Sequence, residues 1–236
     1  MIRIALCLLA LWQGAVLLLD LPRFLLPGPV AVARAAWAEQ AVLAHAATIT
    51  LTEIGAGFAI GAGLGTVLAP LLALLPPLRR ITEPVLTLSQ TIPIFAFAPL
   101  LTLWLGYGMA PKIAIVALIV FFPVASAFLD GLTRTPKVLV ELGESMGATP
   151  LCAMRIIRIP AALPDLASGL RIASVYAPAG AVIGEWVGGS KGLGALMIHA
   201  NGRMKTDQMF AALAATVLAA LAFRFVIGLI AARLER

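Results

Sequence analysis

Between Ile54 and Leu75 the chain carries no charged side chain. At a rise of 1.5 Å per residue, about 20 helical residues cross the ~30 Å hydrocarbon core of a bilayer, so this run is long enough to span one. Comparable apolar runs cover 4–19, 85–105, 113–129, 166–184 and 209–232. Inside a bilayer every backbone N–H and C=O must be satisfied internally, and runs of this length can do that only as helices. Composition agrees, with 61% hydrophobic and 12% charged residues against about 25% charged in an ordinary soluble domain. Disordered, disulfide-rich and cytosolic classes are poor fits. The sequence therefore predicts an all-α integral membrane protein, a single six-span transmembrane domain over 1–236.

The connecting segments refine this. Ile4–Leu19 competes with a cleaved signal peptide, but no small-x-small site follows Leu19, which favours an uncleaved first span. Leu21–Ala44, broken by Pro22, Pro27, Gly28 and Pro29, reads as a loop followed by an interfacial helix carrying Trp37. Gly57, Gly61 and Gly65 recur at the four-residue spacing that lets membrane helices approach closely, within one subunit or between two. The net charge of +6 points to cationic loops on one side of a bilayer rather than to nucleic acid. Arg79, Arg80, Arg134, Lys137, Arg155 and Arg158 fall on the same side as both termini, which the positive-inside rule assigns to the cytoplasm. Cys7 and Cys152 lie far apart and are not expected to pair.

The longest cytoplasmic segment, 130–165, reads as two short helices. Thr135 and Pro136 provide a cap and a first-turn proline, and Lys137 and Glu141 form an i,i+4 pair. Gly147 is a natural stop, and Thr149 with Pro150 starts a second helix that ends before Pro160. Val138, Leu142 and Met146 give the first helix an apolar stripe that wants a partner.

Glu141, Gly147, Ile157, Ile159 and Pro160 stand at the spacing of the "EAA" loop of binding-protein-dependent ABC importer permeases, with Leu142-Gly143 in place of the usual Ala-Ala. The run from Glu141 through Gly147-Ala148-Thr149, and Ile159-Pro160-Ala-Ala-Leu-Pro164, extend the likeness. Phe24–Pro29, Ala98–Leu101 with Leu103–Gly106, and Gly184-Glu185 with Gly192–Gly194 resemble the nitrate/sulfonate/taurine group of that family. Gly184–Gly189 with Asn201–Asp207 looks somewhat more like its branch for pyrimidine precursors of thiamine. The resemblance implies a type I importer bundle in the bacterial inner membrane with a cytoplasmic coupling-helix pair. It also implies a homodimer, two ATP-binding cassette ATPase subunits docked on that pair, and an extracytoplasmic solute-binding protein. Glu141, Gly147, Ala148, Ile157 and Pro160 would then couple to the ATPase.

Other residues could serve a translocation path. Ser89, Gln90 and Thr91 with Pro93 would either expose polar groups to it or form an internally satisfied kink. Tyr176 is similar, and Glu185 reads as a gate, a packing group or an interfacial anchor. Arg171 and Arg224 would snorkel to the cytoplasmic surface or offer a counter-charge to solute. His45 and His199 lack partners at metal-ligand spacing, so neither a metal nor another cofactor is expected. The chain carries no Walker sequence and no nucleophile motif. The expected function is the permease subunit of an ATP-driven importer for a small polar or anionic solute, working by alternating access. The alternative, an ion-coupled secondary transporter, would want paired broken helices and a central acid.

Overall fold

The computed structural model describes residues 2–20, 22–89 and 91–235. Every regular element among them is a helix. In chain order these are α1 (Ile2–Leu18), α2 (Pro29–Ala38), α3 (Gln40–Leu74), α4 (Pro76–Ser89), α5 (Ile94–Leu105) and α6 (Met109–Arg134). There follow α7 (Lys137–Ser145), α8 (Pro150–Ala153), a π turn (Met154–Arg158), α9 (Ile159–Gly188), α10 (Leu193–Gly202) and α11 (Thr206–Leu234). Among the described residues, four rods are long and apolar enough to cross a membrane: α3, α6, α11, and Pro150–Gly188, where α8, the π turn and α9 run on as one helix. Leu9–Leu18 and α5 are shorter apolar helices.

Three helices make the core. Phe58 and Leu72 of α3, Val120, Val124 and Phe128 of α6, and Ala173 and Ala177 of α9 share one buried cluster. The glycine stripe is what lets α3 lie on α6. A Cβ at Gly61 would stand 2.4 Å from the carbonyl oxygen of Ala117, and one at Gly57 2.4 Å from Cβ of Val116. The stripe thus packs within the chain. Gly61→Ala should destabilise the folded protein by about 1–3 kcal/mol, the usual cost of overpacking, and thermal unfolding in detergent would read this as a lower midpoint. The exposed Gly63, with no heavy atom within 4 Å of its Cβ position, should accept alanine unchanged.

Several boundaries differ from the sequence expectation. The second span was expected to begin at Ile54, just past Glu53, yet α3 starts at Gln40 because Glu53 is buried and ion-paired inside the bundle. The expected span over 85–105 is two helices, α4 and α5, parted at Thr91–Pro93. Pro93 disfavours helical backbone at Ile92, and the Thr91 hydroxyl donates back to the Leu88 carbonyl at 2.8 Å. Arg79 and Arg80 lie in α4 rather than in a loop, and Arg79 pairs with Glu83 at 2.9 Å. Pro160 does not stop the second helix of the 130–165 segment. The π turn just before it changes the hydrogen-bond register where the proline has no N–H to give, so the rod continues.

Candidate functional site

At one end of the bundle α6 turns into α7. Thr135 closes α6 instead of capping α7: its hydroxyl reaches the Gly131 carbonyl, and Pro136 occupies the cap position. Lys137 and Glu141 form no ion pair; Glu141 is exposed. The turn after α7 is a Schellman motif. The Ala148 N–H donates to the Gly143 carbonyl and the Gly147 N–H to the Glu144 carbonyl, both at 2.9 Å, with Gly147 at φ +89°. Thr149 then caps α8, its hydroxyl accepting from the Cys152 N–H at 3.3 Å, and Pro150 opens the helix. The two limbs touch, because a Cβ on Gly143 would fall 2.6 Å from Cδ1 of Ile157. The glycine that departs from the usual Ala-Ala is therefore the one against which Ile157 packs.

What this hairpin offers outward is apolar. Val138 is 73% exposed and Met146 80%, and Leu142, Leu151 and Ile156 are exposed beside them. Ala148 and Ile157 are half-buried, and Gly147 and Pro160 exposed. The hairpin thus combines a fixed turn with an uncovered apolar surface.

A second feature lies beside the broken third span. A cavity of about 550 Å³ is lined by Pro93, Phe122, Pro123, Ile172, Tyr176 and Ile183 among others. It brings Pro93 and Tyr176, far apart in sequence, into one lining. Thr91 sits on the adjoining turn, while Gln90 and the side chain of Ser89 lie outside the described residues.

Glu185 is elsewhere, at the end of the bundle opposite α7, and is fully buried. It is no interfacial anchor. One carboxylate oxygen accepts from the Thr50 hydroxyl at 2.6 Å and the other from the Gly194 N–H in the first turn of α10. The Thr50 oxygen in turn accepts from the Leu193 N–H at 2.9 Å. Glu185 thus supplies a negative charge to the start of α10 and ties α9, α3 and α10 together. Beside it, the Lys112 ammonium donates to Oε1 of Glu53 at 2.7 Å and to the Lys191 carbonyl at 3.0 Å. Both Glu53 and Lys112 are buried. The expected spans 54–75 and 113–129 leave Glu53 and Lys112 just outside and pass over Thr50; the available signal was a lone acid and a lone base bordering two apolar stretches, each needing a partner.

Arg171 is held by a partner on α11's C-terminal side rather than reaching out alone. Its guanidinium grips the Glu235 carboxylate with two hydrogen bonds, one of them 2.6 Å, and the nearby Arg224 reaches the Arg171 carbonyl. Those hydrogen bonds hold the Glu235 carboxyl below its ordinary range.

Residues 61–236 match the family described as binding-protein-dependent transport system inner membrane component. The chain belongs to that family. This permease is 47% identical over 206 residues to a probable ABC transporter permease protein of Haemophilus influenzae, covering 87% of this chain and 84% of that one. It is 36% identical over 231 residues to a riboflavin transport system permease protein of Chloroflexus aurantiacus, covering 97% and 86%. A formylaminopyrimidine transport permease protein of Halalkalibacterium halodurans is 35% identical over 190 residues, 80% and 76% of the two chains. The fold of the permease matches that of the inward-facing MetNI methionine ABC transporter, with a TM-score of 0.72 at 22% identity over 84% of this chain and 98% of that chain. It is the membrane component of an ABC importer, a class in which the ATPase is a separate subunit.

Proposed function

We propose that this permease moves a small polar or anionic solute inward by alternating access, driven by ATP hydrolysis on partner subunits docked at the α7–α8 hairpin. The observation that carries this is the hairpin itself: a turn fixed by a Schellman motif and a threonine cap, with an uncovered apolar face. Glu141, Gly147, Ala148, Ile157 and Pro160 are its coupling residues, with Gly147 and Ile157 setting its shape and Glu141 at its surface. An extracytoplasmic binding protein delivers solute, and a second copy of the chain completes the path. Pro93 and Tyr176 belong to that path through the cavity they line, and Ser89, Gln90 and Thr91 belong to it by their place in the sequence just ahead of Pro93. Glu185 serves it by holding the opposite end together. The relatives named for riboflavin and formylaminopyrimidine, and a taurine transport system permease protein of Escherichia coli, 32% identical over 158 residues, favour a small polar solute of the sulfonate or pyrimidine kind.

Reconstituted with its ATPase, the permease should show ATP-dependent, vanadate-sensitive uptake, in a complex of two permease and two ATPase subunits. Uptake that persists without ATPase and follows an ion gradient would overturn the reading. Both termini and the hairpin face the cytoplasm in this scheme. With Cys7 and Cys152 replaced by serine, Arg233→Cys, exposed near the C-terminus and away from the docking face, should therefore resist an impermeant maleimide in intact cells and react after permeabilisation; labelling of intact cells would reverse the orientation.

A further inference from the structure

At the end of the bundle opposite the hairpin, a cavity of about 500 Å³ opens between α1, α2 and the first turn of α11, within the size range of small-molecule sites. Arg23, Arg34 and Asp207 bring charge to its lining, and Val16, Val30 and Ala35 add apolar wall. A neighbouring cavity of about 580 Å³ shares Arg23, Ala35 and Asp207 with it. Hydrogen bonds hold this corner together without consuming those three charges. The Thr206 hydroxyl donates to the Phe24 carbonyl at 3.1 Å, and the Gln208 amide donates to the Glu39 carboxylate. Among the described residues neither arginine is ion-paired, with Asp207 or with any other acid. Two guanidinium groups and one carboxylate thus line one space without an ion partner from the protein.

The level of the cavity says what can reach it. Arg23 stands just past the apolar helix that ends at Leu18, and Asp207 just ahead of the apolar run of α11 that begins at Met209. Both lie where apolar helices leave the hydrocarbon. Phe24 and Leu25 beside Arg23, and Trp37 one turn beyond Arg34, are exposed, as side chains at the headgroup level of a bilayer are. We infer that this cavity holds the headgroup of a zwitterionic phospholipid, a phosphoethanolamine, in the leaflet at that end of the bundle. The phosphate takes the two guanidinium groups, whose planar forks match its oxygens, and the ammonium takes the Asp207 carboxylate. An anionic headgroup without an amine sets its charge against Asp207, and a choline headgroup has no N–H to give, so the matched charges set the selectivity. This goes beyond the importer reading and does not rest on it; it needs only that α1 and α11 lie in a bilayer.

Native mass spectrometry of the full-length permease in mild detergent, titrated with dioleoyl lipids that differ only in headgroup, is the test. Phosphatidylethanolamine should bind at least fivefold more tightly than phosphatidylglycerol or phosphatidylcholine. Arg23→Gln and Arg34→Gln, both at exposed positions, should each weaken its binding at least fivefold. Asp207→Asn should remove the preference for phosphatidylethanolamine over phosphatidylglycerol while both still bind. Equal retention of the three lipids by the unaltered protein, or a preference that survives both arginine substitutions, would overturn the proposal. O-phosphoethanolamine, the headgroup without its chains, separates a lipid from a soluble phosphate ester as the source. At millimolar concentration it should leave the bound lipid in place; displacement would assign the cavity to a soluble phosphate ester and overturn the lipid assignment. The headgroup series on the unaltered protein decides the matter even where a variant fails to fold. No transport step enters the readout, so a failure here leaves the importer reading standing.

Discussion

Gly147→Val should leave the permease inserted in the membrane at normal abundance and reduce ATP-driven uptake by at least tenfold. The expected defect is one of backbone shape. Gly147 stands at φ +89° with no heavy atom within 4 Å of its Cβ position, so a side chain meets no obstacle there. It must instead adopt a conformation that costs a residue with a Cβ about 1–2 kcal/mol, and a β-branched residue most. The easiest relief is to give up the paired hydrogen bonds at Gly143 and Glu144, which releases the hairpin from its fixed turn. Asparagine tolerates the left-handed region best after glycine, so Gly147→Asn should retain most transport and Gly147→Ala should fall between the two. Glu141→Gln, at an exposed position without an ion pair, should be milder than any of them except asparagine. Uptake and ATPase rates in vesicles would check the series. A flat response across Asn, Ala and Val would mean that the turn's geometry plays no part in coupling.

Lys112→Met should prevent recovery of folded permease. It leaves Glu53 and Glu185 buried side by side with no cation, and breaking a buried ion pair from one side typically costs about 3–5 kcal/mol. That is a large fraction of a domain's ~5–15 kcal/mol of stability. The double variant Lys112→Met with Glu53→Leu removes both charges and should recover much of the yield, because an apolar replacement of the whole pair avoids the uncompensated charge. Fluorescence-detected size exclusion would compare the three proteins. If the single variant ran as a normal monodisperse peak, the pair would hold nothing together.

The long apolar helices α3, α6, α9 and α11 were legible because hydrophobicity over twenty residues is a strong signal, and so was the hairpin, whereas the run at 85–105 is broken into two helices. Glycine followed by Thr149-Pro150 spells a stop and a start in local chemistry, and both appear in the fold. The misreadings arise where a local rule was overridden, for the two charges by a distant partner and for Pro160 and Thr135 by the backbone just before them. Glu53 and Lys112 looked like the edges of spans, since an isolated charge marks the water boundary; each is instead inside, neutralised by a residue on another helix. Pro160 looked like a terminator, but the π turn before it absorbs the missing N–H. Thr135 looked like a cap and is held by the helix behind it. The glycine stripe announced close approach without naming its partner, which only the packing against Ala117 and Val116 reveals.

The continuity of Pro150–Gly188 has a mechanical consequence. A single helix of 39 residues is about 58 Å long at 1.5 Å per residue. Its first turn belongs to the apolar hairpin and its last to the charge cluster around Glu185. Were the rod to tilt by about 5° as a stiff body, one end would move roughly 5 Å relative to the other, close to one helical turn. Pro164 and Pro178 are the points at which it could flex instead. If the ATPase load falls on the hairpin, as proposed, it needs no relay of side chains through the bilayer: one continuous helix already joins the hairpin to the cluster around Glu185.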